Sequence, residues 1–255
     1  MTDKITKLNF AIVGYGRMGK LVEQVLRERD ENIQRIIDPA YKEFNWSKES
    51  LRGADSAICF TSPNAGYDVT KRILRAGIDA VVATTKFYLN DDGSINQEML
   101  DEFGELAKEN GSRMMYASNF SVGMNAFWKQ LKPMAEMMAK LGYDVAVEER
   151  HHSRKADVAG TAKTIGNILL DTYRDKDTMN FGDCERKRGD REITVVSTRA
   201  GYIPGTHTVI FDSPVDSLEF THRVRDPKIF AKGAVDSAYW LRGKESGVYN
   251  IIDRL

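Results

Sequence analysis

The sequence predicts an α/β chain in which an N-terminal doubly wound parallel sheet is followed by a second, α+β domain of mixed sheet. Three observations carry this. Short apolar runs alternate with amphipathic, helix-spaced segments from Leu8 to Ala117, the pattern of parallel strands linked by helices. A glycine-rich turn joins the first apolar run to the first helix-spaced segment. Beyond Glu192 several strand-like runs follow one another with few helices between, which suggests antiparallel or mixed pairing.

In order, Leu8 to Val13 is an apolar run ending at Gly14-Tyr15-Gly16-Arg17-Met18-Gly19, after which Leu21, Val22, Val25 and Leu26 recur at helical spacing. The next run, Ile33 to Ile37, ends in Asp38. Strand, glycine turn, helix, strand and terminal acid together form the context of a Rossmann dinucleotide-binding unit. Its glycines let a pyrophosphate approach the helix N-terminus, and its acid lies where ribose hydroxyls are bound. Further units are Ser56 to Phe60 as strand, Tyr67 to Ala76 as helix, Ala80 to Ala83 as strand, Gln97 to Asn110 as helix closed by Gly111, and Arg113 to Ala117 as strand. Ligands of such sheets sit beyond the carboxyl ends of the strands. The loops to watch are therefore Thr61-Ser62-Pro63-Asn64, Thr84-Thr85-Lys86-Phe87 and Ser118-Asn119-Phe120. Singly, their Thr, Ser and Asn residues read as turn and cap chemistry; together they form a rim.

From Ser121 the texture changes. Asn125 to Lys140 reads as a long helix, Asp144 to Glu149 as a strand and Thr161 to Tyr173 as a helix. After a charged span around Arg186-Lys187-Arg188, read as a solvated loop, come the strand-like runs Glu192 to Ser197, Thr206 to Asp212 and Ser217 to Val224. The helical pattern from Ile229 to Gly243 is suited to docking back on the first domain. The expected division is 1–121 with 229–255 for the dinucleotide-binding domain and 122–228 for the second.

Composition narrows the function. The chain of 255 residues carries 37 basic and 37 acidic side chains, so the charge excess that drives non-specific nucleic-acid binding is missing. No apolar stretch approaches a membrane span and no signal-peptide pattern opens the chain, so a cytoplasmic protein is expected. Cys59 and Cys184 make neither a disulfide framework nor a thiolate metal site, and Cys59, in an apolar run, is read as packing.

The densest chemistry lies in Glu148-Glu149-Arg150-His151-His152-Ser153-Arg154-Lys155-Ala156-Asp157-Val158-Ala159-Gly160-Thr161-Ala162. Three readings compete. A metal site is disfavoured because adjacent His151 and His152 on an extended segment point to opposite faces and no His-x-x-x-His pair exists, so no metal is expected. Structural histidines are the second reading. The third is an anion-binding acid–base site, in which the helix start at Gly160-Thr161 offers free N–H groups to a carboxylate and a histidine exchanges a proton near neutral pH. It predicts a small carboxylated substrate and a nicotinamide cofactor, without naming the compound.

With those residues in view, the sequence resembles the 4-hydroxy-tetrahydrodipicolinate (dihydrodipicolinate) reductase family of diaminopimelate and lysine biosynthesis. The resemblance runs through most of the chain, from Gly14-Tyr15-Gly16-Arg17-Met18-Gly19, Phe60-Thr61-Ser62-Pro63, Ala83-Thr84-Thr85 and Asn119-Phe120-Ser121-Val122-Gly123 to the histidine stretch, Gly205-Thr206-His207-Thr208 and Trp240-Leu241-Arg242-Gly243-Lys244. The run His151-His152-x-x-Lys155-x-Asp157 before Gly160-Thr161-Ala162 is its most specific part.

The resemblance implies His151 as acid–base residue, Lys155 as charge stabiliser or proton donor, His152 as substrate contact, and Gly160 and Thr161 as holders of a ring carboxylate. It implies Gly14, Tyr15, Gly16, Arg17, Met18, Gly19 and Asp38 around the cofactor, with Thr61, Ala83, Thr84, Thr85, Asn119 and Phe120 near the nicotinamide. The implied substrate is a small dicarboxylate, and the implied assembly is a homotetramer formed through the second domain. Three departures stand out. The family's Gly-Thr-Thr-Gly turn is Ala83-Thr84-Thr85-Lys86 here. Asp157-Val158-Ala159-Gly160 is one residue shorter than the usual Asp-x-Pro-Ser-Gly. Pro39 follows Asp38 where many members carry a base for the 2′-phosphate, which favours NADH over NADPH. The alternatives are a nicotinamide-dependent reductase of another carboxylated imine or keto acid, and a non-enzymatic nucleotide-sensing protein.

Overall fold

A computed structural model of the chain describes residues 6–38, 48–90, 94–182 and 186–255. Pro39 and Cys184 lie outside them. Contacts divide the chain into two compact units, Met1–Val122 with Lys228–Leu255, and Gly123–Pro227. No helix among the described residues is long and apolar enough to cross a membrane.

The first unit is a six-stranded parallel sheet. Its strands are β1 (Asn9–Val13), β2 (Asn32–Ile37), β3 (Ser56–Cys59), β4 (Asp79–Val82), β5 (Arg113–Tyr116) and, late in the chain, β11 (Gly247–Asn250). Their order is β11-β5-β4-β3-β1-β2, and each pairing is parallel. The helices of this unit are α1 (Arg17–Glu28), α2 (Pro63–Arg75), α3 (Gln97–Asn110) and α6 (Lys228–Leu241).

The central strands β3 and β4 are buried on both faces, which explains why they read as unbroken apolar runs. Phe10, Ile12, Ile58 and Val81 face Val22, Val25 and Leu26 of α1 and Ala231, Ala234 and Ala238 of α6. Ala11, Val13, Ala57 and Cys59 face Val69 and Ile73 of α2 and Phe103 and Ala107 of α3. The sheet is thus wound on both sides. Cys59 is core, and burial pushes its thiol pKa up, as expected of a packing residue.

The second unit is a five-stranded mixed sheet. It contains α4 (Val122–Lys140, whose first residue belongs to the other unit), β6 (Asp144–His151), α5 (Gly160–Thr172), β7 (Thr178–Asn180), β8 (Glu192–Arg199), β9 (Thr206–Asp212) and β10 (Ser217–Arg223), in sheet order β10-β9-β6-β8-β7. Pairing is parallel for β6–β8 and β7–β8 and antiparallel for β6–β9 and β9–β10. Strand alternation puts Val145, Val147, Ile193, Val195, Val209 and Phe211 on one face, packed against Phe127 and Leu131 of α4 and Ile165 and Leu169 of α5.

Several details depart from expectation. Pro63 and Asn64 belong to the first turn of α2 rather than to a rim loop, with Pro63 at the position where a missing N–H costs nothing. The short elements Lys48–Leu51, β7 and β11 were not visible in the hydrophobic pattern, because each is brief and at most half apolar. The charged span is more than a solvated loop, since Arg186 pairs with Glu192 at 2.7 Å and Arg188 with Asp144 at 2.6 Å.

Candidate active site

In the first unit, the three glycines of the turn do three different jobs. Gly14 has φ +89°, and a Cβ there would lie 2.3 Å from the Phe60 carbonyl oxygen, so only glycine fits. A Cβ on Gly19 would lie 2.1 Å from the Gly14 carbonyl oxygen, so α1 can seat against β1 only with glycine at this position. Nothing lies within 4 Å of the corresponding position on Gly16, which is exposed. The bare Gly16 backbone and the start of α1 at Arg17, with no acid in its first turn, are the form needed for a pyrophosphate. Arg17 is exposed there and Met18 is half-buried. At the end of β2, Asp38 accepts a hydrogen bond from the Tyr15 N–H at 3.3 Å, which ties the acid to the turn. These residues fit a dinucleotide.

The other rim residues divide. Thr84 is 4% exposed, and its hydroxyl accepts from the Thr61 N–H at 2.9 Å and lies 3.1 Å from the Thr61 hydroxyl. It braces two strand-end loops against each other. Ala83 and Thr85 beside it are half-buried. Asn119 accepts the Ser121 N–H at 2.8 Å, a turn-forming bond. The Phe120 ring is 2% exposed and belongs to the core.

Lys86, which follows Thr84-Thr85, has φ +77°. A β-carbon is unfavourable in this left-handed region. Lys86→Gly is therefore expected to stabilise the chain by about 1 kcal/mol, a Tm gain of roughly 2–4 °C by calorimetry. A lowered Tm would show that the lysine side chain makes a contact worth more than the strain.

In the second unit, the helix-covered face of the sheet turns from apolar to ionisable at one end. The row Val145-Val147 continues into Glu149 and His151, all on one side of β6 and all buried. Register sets Ser197 of β8 and His207 of β9 beside Glu149, and Arg199 of β8 beside His151. Glu149 is fully buried. Its carboxylate accepts from Arg199 Nη2 at 2.6 Å, Ser197 Oγ at 2.8 Å and the Ala159 N–H at 2.9 Å. Burial pushes its pKa up, but those three bonds outweigh burial and hold it below the usual carboxylate range.

His151 Nδ1 lies 3.5 Å from Glu149 Oε2, is solvent-excluded and has no hydrogen-bond partner. Its Nε2 faces Gly205, where φ is +154° and a Cβ would come within 3.1 Å of that nitrogen. Burial lowers the His151 pKa, Glu149 opposes it, and the charges of Lys155, Arg199 and His152 lower it further. His207 sits 5.1 Å away, ring centre to ring centre, and burial with the neighbouring His151 charge lowers its pKa to about 4.

The residues of the connection surround this core. His152, just past the end of β6, is half-buried. Lys155 is half-buried, its N–H donating to the His152 carbonyl at 3.1 Å and its carbonyl accepting from Arg199 Nε at 3.0 Å. The α5 start has no side-chain cap and no acid in its first turn; Gly160 is exposed with open space beside it, and Thr161 is half-buried. Free N–H groups there suit a carboxylate.

Sequence spacing missed Glu149, Ser197, Arg199 and His207. Strand pairing also brings ligand atoms of Glu149, His151 and His207 within 4.8 Å of one another, a grouping that the spacing of His151 and His152 does not display. The Arg199 guanidinium and the Ala159 N–H already engage both oxygens of that carboxylate, so a dication would compete with them.

A glycine turn built for a dinucleotide, on a chain that also carries an acid–base cluster beside an uncapped helix start, defines a nicotinamide-dependent oxidoreductase. Comparison with known proteins agrees with this class and narrows it. Residues 8–120 match the family model described as dihydrodipicolinate reductase, N-terminus, and residues 123–255 the one described as dihydrodipicolinate reductase, C-terminus. The 4-hydroxy-tetrahydrodipicolinate reductase of Christiangramia forsetii is 31% identical, with 97% of this chain and 98% of the relative covered. That of Methanoculleus marisnigri is 37% identical over 79% of this chain and 75% of its own length. The solved structure of dipicolinate-bound dihydrodipicolinate reductase from Paenisporosarcina sp. TG-14 has a TM-score of 0.76 at 20% identity, covering 98% of this chain and 100% of that one, which shows the shared fold. The chain belongs to the dihydrodipicolinate reductase family.

Proposed function

We propose that this nicotinamide-dependent reductase converts 4-hydroxy-tetrahydrodipicolinate to tetrahydrodipicolinate, a step of diaminopimelate and lysine biosynthesis, as a cytoplasmic homotetramer that prefers NADH. The observation that carries the residue assignment is the clustering of His151, Lys155 and the uncapped α5 start within one connection, backed by buried Glu149. A bound nicotinamide would supply a hydride, here for ring C4 of the unsaturated cyclic imine that loss of water from the substrate would leave.

The chain's own residues do the rest. Gly160 and Thr161 hold one ring carboxylate through the helix start, and His152 contacts the substrate. His151 manages the proton that the reduced ring must take up, with Lys155 as a second cation that stabilises charge or donates. Gly16 with Arg17 and the α1 start receives the pyrophosphate in the turn that Gly14 and Gly19 shape, and Asp38 takes the adenosine ribose hydroxyls. A 2′-phosphate beside the Asp38 carboxylate would be repelled, which underlies the NADH preference.

Association through the second sheet is supported by its face opposite α4 and α5, where Ala146, Thr194, Val196 and Ile210 stand by strand alternation. The test is consumption of NADH and NADPH by purified protein, with substrate made in situ from pyruvate and aspartate semialdehyde by the synthase. We expect turnover with both and higher kcat/KM with NADH, in a preparation whose mass by light scattering is four times 28.8 kDa. No turnover with either cofactor would overturn the reductase reading. A kcat/KM with NADPH equal to or above that with NADH would overturn the role of Asp38, and a monomeric mass the assembly.

A further inference from the structure

The charge beside His151 belongs to two residues that the motif does not make prominent. We propose that the ion pair of buried Glu149 with half-buried Arg199 is the positioning element of this active site: Glu149 fixes the orientation and tautomer of His151, and Arg199 fixes the loop that carries Lys155. The proposal rests on the acid–base role given to His151.

Glu149 touches both the histidine and the carboxylate-binding helix start. Its Oε2 lies 3.5 Å from His151 Nδ1 and accepts the Ala159 N–H at 2.9 Å, one residue before Gly160. A carboxylate at Nδ1 selects the tautomer with the proton on that nitrogen, which leaves Nε2 to exchange a proton with substrate. The 3.5 Å gap is the loose form of a contact that tightens when the ring becomes a cation. Nε2 lies on the Gly205 side of the ring, where a β-carbon would come within 3.1 Å of it.

Arg199 works on the other flank. It donates from Nη2 to Glu149 Oε1 at 2.6 Å and to the Asp157 carbonyl at 2.9 Å, and from Nε to the Lys155 carbonyl at 3.0 Å. One planar guanidinium thus joins the buried acid to both ends of the Lys155–Asp157 segment, a geometry that a lysine lacks the donors to reproduce. Ser197 Oγ donates to the same carboxylate at 2.8 Å and completes its coordination.

The groups that face His151 are Glu149 of its own strand, His152 and Lys155 beyond it, Arg199 of β8 and His207 of β9, which in turn pairs in register with His222 of β10. Only Glu149 carries negative charge among them. Removing that charge lowers the affinity of His151 for a proton, so a reaction that needs imidazolium fails at a lower pH.

The experiment uses the full chain and Glu149→Gln, Glu149→Asp and Arg199→Lys. For Glu149→Gln we expect kcat to fall roughly tenfold at neutral pH, KM for NADH to stay unchanged, and the descending limb of the kcat/KM–pH profile to move down by about one unit. Glu149→Asp keeps the charge and should keep the limb in place. Arg199→Lys should lower kcat with the limb unmoved, and it serves as the second variant if Glu149→Gln does not fold.

NMR titration of the His151 ring without substrate or cofactor should show the same downward shift in Glu149→Gln. An unmoved limb and an unmoved ring titration in folded Glu149→Gln, or wild-type kcat in Arg199→Lys, would overturn the proposal. Wild-type protein without turnover would instead overturn the reductase reading, and the ring titration would still decide the contact between Glu149 and His151.

Discussion

Lys155→Ala is expected to lower kcat by roughly 10²–10³-fold while NADH binding, measured by fluorescence titration, stays at its wild-type level. The prediction joins two facts. Lys155 lies in the Gly123–Pro227 unit, in the turn that follows His152, whereas the glycine turn for the cofactor belongs to the other unit. Its charge reaches His151, whose pKa it helps to lower. The substitution leaves the backbone bonds of residue 155 in place, because the Arg199 Nε bond ends on the Lys155 carbonyl and not on the side chain.

Lys155→Arg separates the two roles still open for this residue. A guanidinium keeps the positive charge but does not give up a proton near neutral pH, so substantial retained activity identifies a charge stabiliser and its loss a proton donor. Near wild-type kcat in Lys155→Ala would remove the residue from the mechanism altogether.

The largest expected loss of stability lies far from the histidines in sequence, at Gly233 of α6. A Cβ there would stand 1.7 Å from the Phe120 carbonyl oxygen and 2.9 Å from its carbon, both backbone atoms that cannot swing aside. The helix cannot easily retreat, since Ala231, Ala234 and Ala238 seat it on the parallel sheet. Gly233→Ala should therefore cost about 3 kcal/mol, a large share of the stability of a marginally stable chain, and lower Tm by roughly 10 °C. Gly104→Ala in α3 is the control: the nearest atom to its new methyl is 4.0 Å away, so a gain of about 0.5–1 kcal/mol from reduced chain entropy is expected. Equal Tm values for the two variants would show that α6 yields where the geometry says it is fixed.

Much of the fold was legible because its signals are local. The central strands of the first sheet are apolar and buried on both faces, the helices carry 3.6-residue stripes, and Gly14 and Gly19 each answer a local steric demand. The elements that escaped notice, β7 and β11, owe their structure to neighbours: Gly247-Val248-Tyr249-Asn250 is a strand because β5 lies beside it. Two rim positions read by residue type also have a structural use that residue type does not show. The hydroxyl of Thr84 braces Thr61, and the ring of Phe120 packs in the core.

By itself the sequence determined the alternation that winds the first sheet, the glycine turn, and the packing of His151, His152, Lys155 and Gly160-Thr161 into one short connection. Proximity along the chain is enough for those. Tertiary structure alone decided what surrounds His151. Ser197, Arg199 and His207 come from strands far along the chain and meet Glu149 only through the registers of β6 with β8 and β9. A buried carboxylate must find its compensating donors wherever the sheet supplies them, and no spacing within a motif records where that will be.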